Sequence, residues 1–111
     1  MKTTKTKKAI KPHRTHDEAT IDSFRRDPKF AAAYLNAVLD DGDRAEIMTA
    51  LRYLTEAFGG VPAIAEKTHL NTTTLYRTLS AKGNPELKSF MEIMKAVGMR
   101  ILVEPLSPVR R

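Results

Sequence analysis

The sequence predicts an all-α fold of short helices that ends in one short strand. Three observations point there. Beyond residue 27, apolar residues recur at i, i+3, i+4 and i+7, the period of a helix with one buried face. Asp or Asn followed by proline, and glycines set between the stripes, supply helix starts and stops. Only Met99–Leu106, where Ile101, Leu102 and Val103 stand side by side, lacks a helical stripe and is rich in β-formers.

The elements follow in chain order. Residues 1–15 are rich in Lys and Thr, contain Pro12 and have no apolar period, so they are expected to stay disordered until bound. The division drawn is a disordered basic tail over 1–19, a folded domain over 20–106 and a disordered end over 107–111. Asp27–Pro28 is an N-cap followed by proline, where a missing N–H costs nothing. Ala31, Tyr34, Leu35 and Val38 form the first stripe, and Gly42 is expected to close it in a left-handed conformation. Asp43 and Glu46 resemble a capping box, and Ile47, Ala50, Leu51, Leu54 and Phe58 carry the second stripe to Gly59–Gly60. Val61, Ile64 and Ala65 share one face of a short third helix. After a break at His69–Asn71, Thr72–Ser80 turns Leu75 and Leu79 inward, and Gly83 closes the segment. Asn84–Pro85 repeats the cap-plus-proline device, and Leu87, Phe90, Met91, Met94 and Val97 make the fifth stripe, ended by Gly98. A lone strand over 99–106 has no partner in its own chain for its open N–H and C=O groups. The same strand of a second copy, across a two-fold axis, is the expected partner, which predicts a homodimer.

A chain of 111 residues points to one domain. Without cysteine there is no disulfide framework, thiolate metal site or cysteine nucleophile, which suits a reducing cytoplasm. No apolar run approaches the roughly 18 residues of a membrane span. The net charge of +6 is unevenly spread. Residues 1–15 hold six bases and no acid, residues 16–66 sum to −5 and residues 67–111 to +5. The expectation is a basic tail, an acidic first half and a basic second half.

Val61–Ser80 is the informative stretch: two short helices meet at a tight turn, with the small Ala65 where they approach and Leu70 and Leu75 facing inward. That is the layout of a helix-turn-helix, whose second helix enters the DNA major groove. Around it stand AYLNAVLDDGD (Ala33–Asp43), Ala50-Leu51-Arg52, Gly59-Gly60, Ile64-Ala65, Leu75-Tyr76-Arg77, Leu79-Ser80, Gly83-Asn84-Pro85 and Gly98-Met99-Arg100. In order and spacing these motifs resemble the HigA-like "probable addiction module antidote" family, small XRE-type helix-turn-helix antitoxins often encoded beside a RelE-like toxin. The resemblance spans roughly residues 24–105 and leaves the tail out. It implies a five-helix XRE, lambda-repressor-like domain with a C-terminal strand for dimerisation, repression of its own operon and neutralisation of a RelE-like toxin. Two departures stand out. His69 replaces a common turn glycine, a strained choice if the turn needs a positive φ. Asn71-Thr72-Thr73 replaces a common Ser-Arg-Glu, so the operator sequence does not carry over from relatives.

Residue roles follow from position. Asn71 is the expected N-cap of the second helix and a phosphate-contact candidate. Thr72 and Thr73 project towards base edges, where threonine offers a hydroxyl or a methyl to thymine. Arg77 lies one turn beyond Thr73, with a planar fork suited to guanine or phosphate. Tyr76, Ser80, Lys67 and Lys82 are expected on the DNA backbone, with Arg52 and Lys88 as ordinary solvated charges or further contacts. Asp40, Asp41 and Asp43 read as a helix stop and start rather than a metal site, and His13 and His16 lack further ligands. No catalytic pairing, cofactor or metal is expected. The expected partners are double-stranded DNA with a near-palindromic operator, a RelE-like toxin and a second copy. The alternatives are a solitary phage-type repressor, and a protein-interaction module that no longer reads DNA.

The tail generates the first prediction. Fifteen extended residues reach about 50 Å at roughly 3.4 Å each, far enough to follow phosphates or enter a minor groove. Deleting residues 1–15 should weaken DNA affinity and flatten its dependence on salt in a titration series.

Overall fold

In a computed structural model that describes residues 15–80 and 82–106, the chain forms six helices. They are α1 (His16–Arg26), α2 (Pro28–Asp41), α3 (Arg44–Ala57), α4 (Gly60–Lys67), α5 (Thr72–Thr78) and α6 (Leu87–Ala96). Helix α3 is the axis of the fold, with α1 and α2 packed against it and against each other, and α4 against it as well. Met48, Ala50, Leu51, Tyr53, Leu54, Thr55 and Ala57 are all buried on it, more residues than one helical face can supply. Helix α4 in turn carries α5 and part of α6. One core runs through the whole, from Phe24 and Leu35 through Leu51, Leu54 and Ile64 to Leu75, Ile93 and Met94.

Helix α1 corrects both the helix count and the boundary of the tail. Five helices were expected, with residues 16–19 assigned to the tail, yet those four residues are helical. The cause is a capping box that the sequence reading passed over. Thr15 Oγ1 accepts from the Glu18 N–H at 3.0 Å, and Glu18 Oε1 accepts from the Thr15 N–H at 3.3 Å. Asp17 and Glu18 in the first turn and Arg25 and Arg26 in the last suit the helix dipole. A tail deletion should therefore stop at Arg14, because Thr15 belongs to α1. The remainder of the tail, including His13, and residues 107–111 lie outside the described residues.

The predicted starts of α2 and α3 are found as expected. Asp27 accepts from Phe30 N–H at 3.2 Å ahead of Pro28, and Asp43 and Glu46 form a reciprocal capping box at 2.9 Å each way. Gly42 is not left-handed: its φ is −92° and ψ 164°, because the next residue is already the N-cap of α3. Glycine is needed there for space, since a Cβ would press on Val38 O at 2.8 Å and Glu46 Oε1 at 2.9 Å. The Asn84–Pro85 start is also corrected. Glu86 is the N-cap of α6, without a side-chain cap bond, and the helix begins at Leu87. At the other end of α6, Gly98 (φ 82°) allows Met99 N–H to reach Met94 O at 2.8 Å and its own N–H to reach Lys95 O at 3.0 Å. Together these bonds make a Schellman ending.

The expected strand over 99–106 is absent, and no strand occurs among the described residues. Residues 100–106 are exposed, and their backbone makes no hydrogen bond among the described residues. The reason is the one that required a partner: a strand exists only in a ladder, and the described residues offer no second edge.

An aromatic cluster ties the first three helices together. Phe24 meets Phe30, Tyr34 and Tyr53 edge-on, with centroids 5.1–6.2 Å apart. Tyr53 is buried, and its hydroxyl donates to Asp17 Oδ1 at 2.5 Å, joining α3 to the first turn of α1. That hydrogen bond, then burial and the charge of Asp17, push the Tyr53 pKa up from 10.0 to about 12. The neutral phenol is the form the fold favours. Its stabilising share is therefore complete below pH 10 and is lost as pH rises from 10 towards 12. Tyr53→Phe should cost about 1 kcal/mol at neutral pH. The variant should also show a smaller loss of stability than the parent between pH 10 and 12 in urea titrations.

Candidate nucleic-acid interface

Helix α5 is only seven residues long, too short to hold itself in water, so its stability comes from its ends and its buried side. At its start, Asn71 Oδ1 accepts from Thr74 N–H at 2.7 Å, as the sequence predicts. The amide nitrogen of Asn71 makes no hydrogen bond among the described residues, so capping does not prevent a second contact. Leu75 and Leu79 are buried against the core. The helix proper ends at Thr78, so Ser80 lies one residue past its C-cap Leu79 rather than inside it.

The turn between α4 and α5 contains a device the sequence reading missed. Thr68 is buried, its hydroxyl donates to Ala65 O at 3.3 Å, and the same oxygen accepts from Leu70 N–H at 3.2 Å. One side chain thus closes α4 and sets the turn. No non-glycine residue among the described residues has a positive φ, so His69 occupies the turn without that strain.

The far end of α5 is held by α3. Arg52, expected as a solvated charge or a further DNA contact, is half-buried; its guanidinium donates to Leu79 O at 2.8 Å and to Thr49 Oγ1 at 3.0 Å. Arg44, two turns earlier on α3, donates to Gly83 O at 2.5 Å. Gly83 N–H in turn reaches Ser80 O at 2.8 Å. A Cβ on Gly83 would collide with the Thr78 carbonyl, so the loop folds back tightly onto the end of α5. The signal was present as two arginines at i and i+8, but a sequence does not say that a carbonyl waits opposite each.

What remains outward is a single face. Thr72 and Tyr76 form one row at four-residue spacing and Thr73 and Arg77 a second, all exposed, and Ser80 is exposed just beyond the C-cap. Asn71 stands at the head of this face. Lys67 ends α4 and Lys82 follows Ser80; both are exposed, as is Lys88 at the start of α6. The Ser80 hydroxyl donates to Arg77 O at 2.8 Å, so it meets a ligand through its oxygen unless that bond is exchanged. Charge separates the two halves of the molecule. In the acidic half, Arg25, Arg44 and Arg52 are bonded to main-chain carbonyls, and Arg25 and Arg26 pair with Asp22. Lys67, Arg77 and Lys82 have no acid or carbonyl partner among the described residues. No group of three or more His, Asp or Glu residues is arranged to hold a metal there either. No helix among the described residues is long and apolar enough to cross a membrane.

The family model described as "Probable addiction module antidote protein" matches residues 17–105. The chain belongs to that family. A Haemophilus influenzae protein, named only as uncharacterized, is similar to it, with 31% identity over 71 residues, covering 64% of this chain and 72% of that protein. No solved structure matches. The match begins at Asp17, so α1 from its second residue, the α4–α5 pair and the segment after α6 all belong to the antidote-family unit, whereas the basic tail does not.

The anchoring of α5 is open to a direct test. Arg52→Ala should remove about 1–2 kcal/mol of stability by leaving Leu79 O unanswered. A Gly83→Ala change should cost at least as much, because a backbone carbonyl blocks the added methyl. Thermal melts should show both, at roughly 4–8 °C per kcal/mol.

Proposed function

We propose that this antidote-family protein is a homodimeric, sequence-specific DNA-binding antitoxin that represses its own operon and neutralises a RelE-like toxin. The observation that carries the DNA reading is the outward face of α5. Thr72, Thr73, Tyr76 and Arg77 are exposed together, flanked by Lys67 and Lys82, and no acid among the described residues neutralises them. The α4–turn–α5 pair acts as a helix-turn-helix. Asn71, Lys67, Lys82 and Ser80 position the phosphate backbone, and Thr72, Thr73 and Arg77 meet base edges. Tyr76 lies between the two groups and offers its ring and hydroxyl to the backbone.

A homodimer places two such helices about 34–36 Å apart, one turn of DNA, and so reads a near-palindrome. The toxin reading rests on the family and on its resemblance to antitoxins encoded beside RelE-like toxins. The acidic first half is a surface of the right sign for a basic toxin. Cytoplasmic residence fits both roles and the cysteine-free composition.

The test is binding to the DNA upstream of its own gene, with co-expression of the neighbouring gene product to score growth rescue and complex formation. Affinity for the upstream DNA should exceed that for a random fragment and fall steeply with salt. Arg77→Ala should weaken operator binding by about 1–3 kcal/mol while leaving oligomeric state and toxin binding intact. Equal affinity of parent and variant would remove α5 from the DNA-reading role.

A further inference from the structure

The segment after α6 carries an unanswered edge beside an unfilled groove. Ile101, Leu102 and Val103 are 48%, 72% and 93% exposed, and their backbone groups have no partner among the described residues. Next to them lies a groove of about 440 Å³, lined by Met91, Met94, Lys95, Met99, Arg100 and Ile101. Leu87 and Met91 extend the apolar surface along α6. Nothing among the described residues of one chain satisfies this edge: no strand occurs there, and Pro105 ends the run of N–H donors.

We propose that a second copy of this chain covers the surface by pairing antiparallel along Arg100–Glu104, in the register centred on Leu102. This rests on the homodimer reading above and adds its geometry. The run Arg100-Ile101-Leu102-Val103-Glu104 is complementary to itself when reversed. In that register Arg100 stands opposite Glu104 of the second copy, Ile101 opposite its Val103, and Leu102 opposite Leu102. Opposite residues share a face, so one face carries Ile101 and Val103 from both copies and the other carries two ion pairs flanking the leucines.

Other registers fail on charge or on proline. Centring on Val103 sets Arg100 against Leu106 and brings Pro105 into the ladder. Centring on Ile101 sets Arg100 against Leu102. A parallel pair in register stacks Arg100 on Arg100 and Glu104 on Glu104. Arg100 and Ile101 line the groove, and Leu102 lines an adjoining one with Phe90 and Met94, so the start of the run lies against α6 while Val103 stands clear of it. In the proposed register the second copy's Val103, opposite Ile101, falls beside the groove that Met91, Met94 and Met99 line.

The absence of cysteine makes the register directly testable in the full chain. Leu102→Cys should form a disulfide-linked dimer under mild oxidation, since directly opposed residues lie within disulfide reach. Ile101→Cys and Val103→Cys should each cross-link poorly alone and efficiently when mixed. In sedimentation experiments Arg100→Glu should weaken the dimer about tenfold by converting both ion pairs to repulsions. Adding Glu104→Arg to that variant should restore it. A wild-type chain that sediments as a monomer at all concentrations would remove the homodimer reading and the register together. A stable dimer in which Leu102→Cys does not cross-link, or in which the charge swap gives no rescue, would remove the register alone.

Discussion

Short helices leave their last carbonyls unpaired, and in this fold those at the ends of α3 and α5 are answered by arginines from other helices. Arg25 of α1 reaches Ala57 O and Glu56 O at the end of α3. Arg52 of α3 reaches Leu79 O at the end of α5, and Arg44 reaches Gly83 O in the loop beyond. A guanidinium suits this work because it is always charged and offers several donors in a fixed plane, and because the C-terminal end of a helix is its negative pole. Helix α5, with seven residues and one cap, depends on this more than any other element. Its outward residues keep a fixed orientation because both ends are tied down and Leu75 and Leu79 are sunk in the core.

The same bonds change the meaning of the charge distribution. By composition, the first half is acidic and the second basic. Three of the five bases in residues 16–66 are engaged with main-chain carbonyls, and Arg26 faces Asp22. Lys67, Arg77 and Lys82 in the second half are not tied down in this way among the described residues. Two arginines of one sequence can therefore serve opposite ends: Arg52 holds a helix in place and Arg77 is presented by it.

Much was legible in the sequence because its signals are local. The caps at Asp27 and Asn71, the Asp43–Glu46 box and the apolar stripes of α2 to α5 act within a few residues, and each is found. In α6, Met94 and Val97 are buried as expected, but Leu87 and Met91 of the expected stripe are exposed and Ile93 is buried instead. The Thr15–Glu18 box was equally local and was overlooked because a lysine-rich stretch and Pro12 precede it. Thr68 was invisible because its role needs the turn to exist first. Of the candidate site residues, all eight are exposed, and the four on α5, Thr72, Thr73, Tyr76 and Arg77, are brought together by helical spacing.

The sequence by itself determined that this chain is helical, where α2, α3 and α5 begin, and which face of α2 to α5 is apolar. Those properties follow from capping and periodicity over spans of four to eight residues. The tertiary structure alone decided which arginines are structural, why Gly42 and Gly83 are glycine, and that residues 100–106 find no backbone partner among the described residues. These depend on groups far apart in the chain. A carbonyl 27 residues away selects the role of Arg52, and the collision that forbids a side chain at Gly83 arises only once the loop folds back on α5.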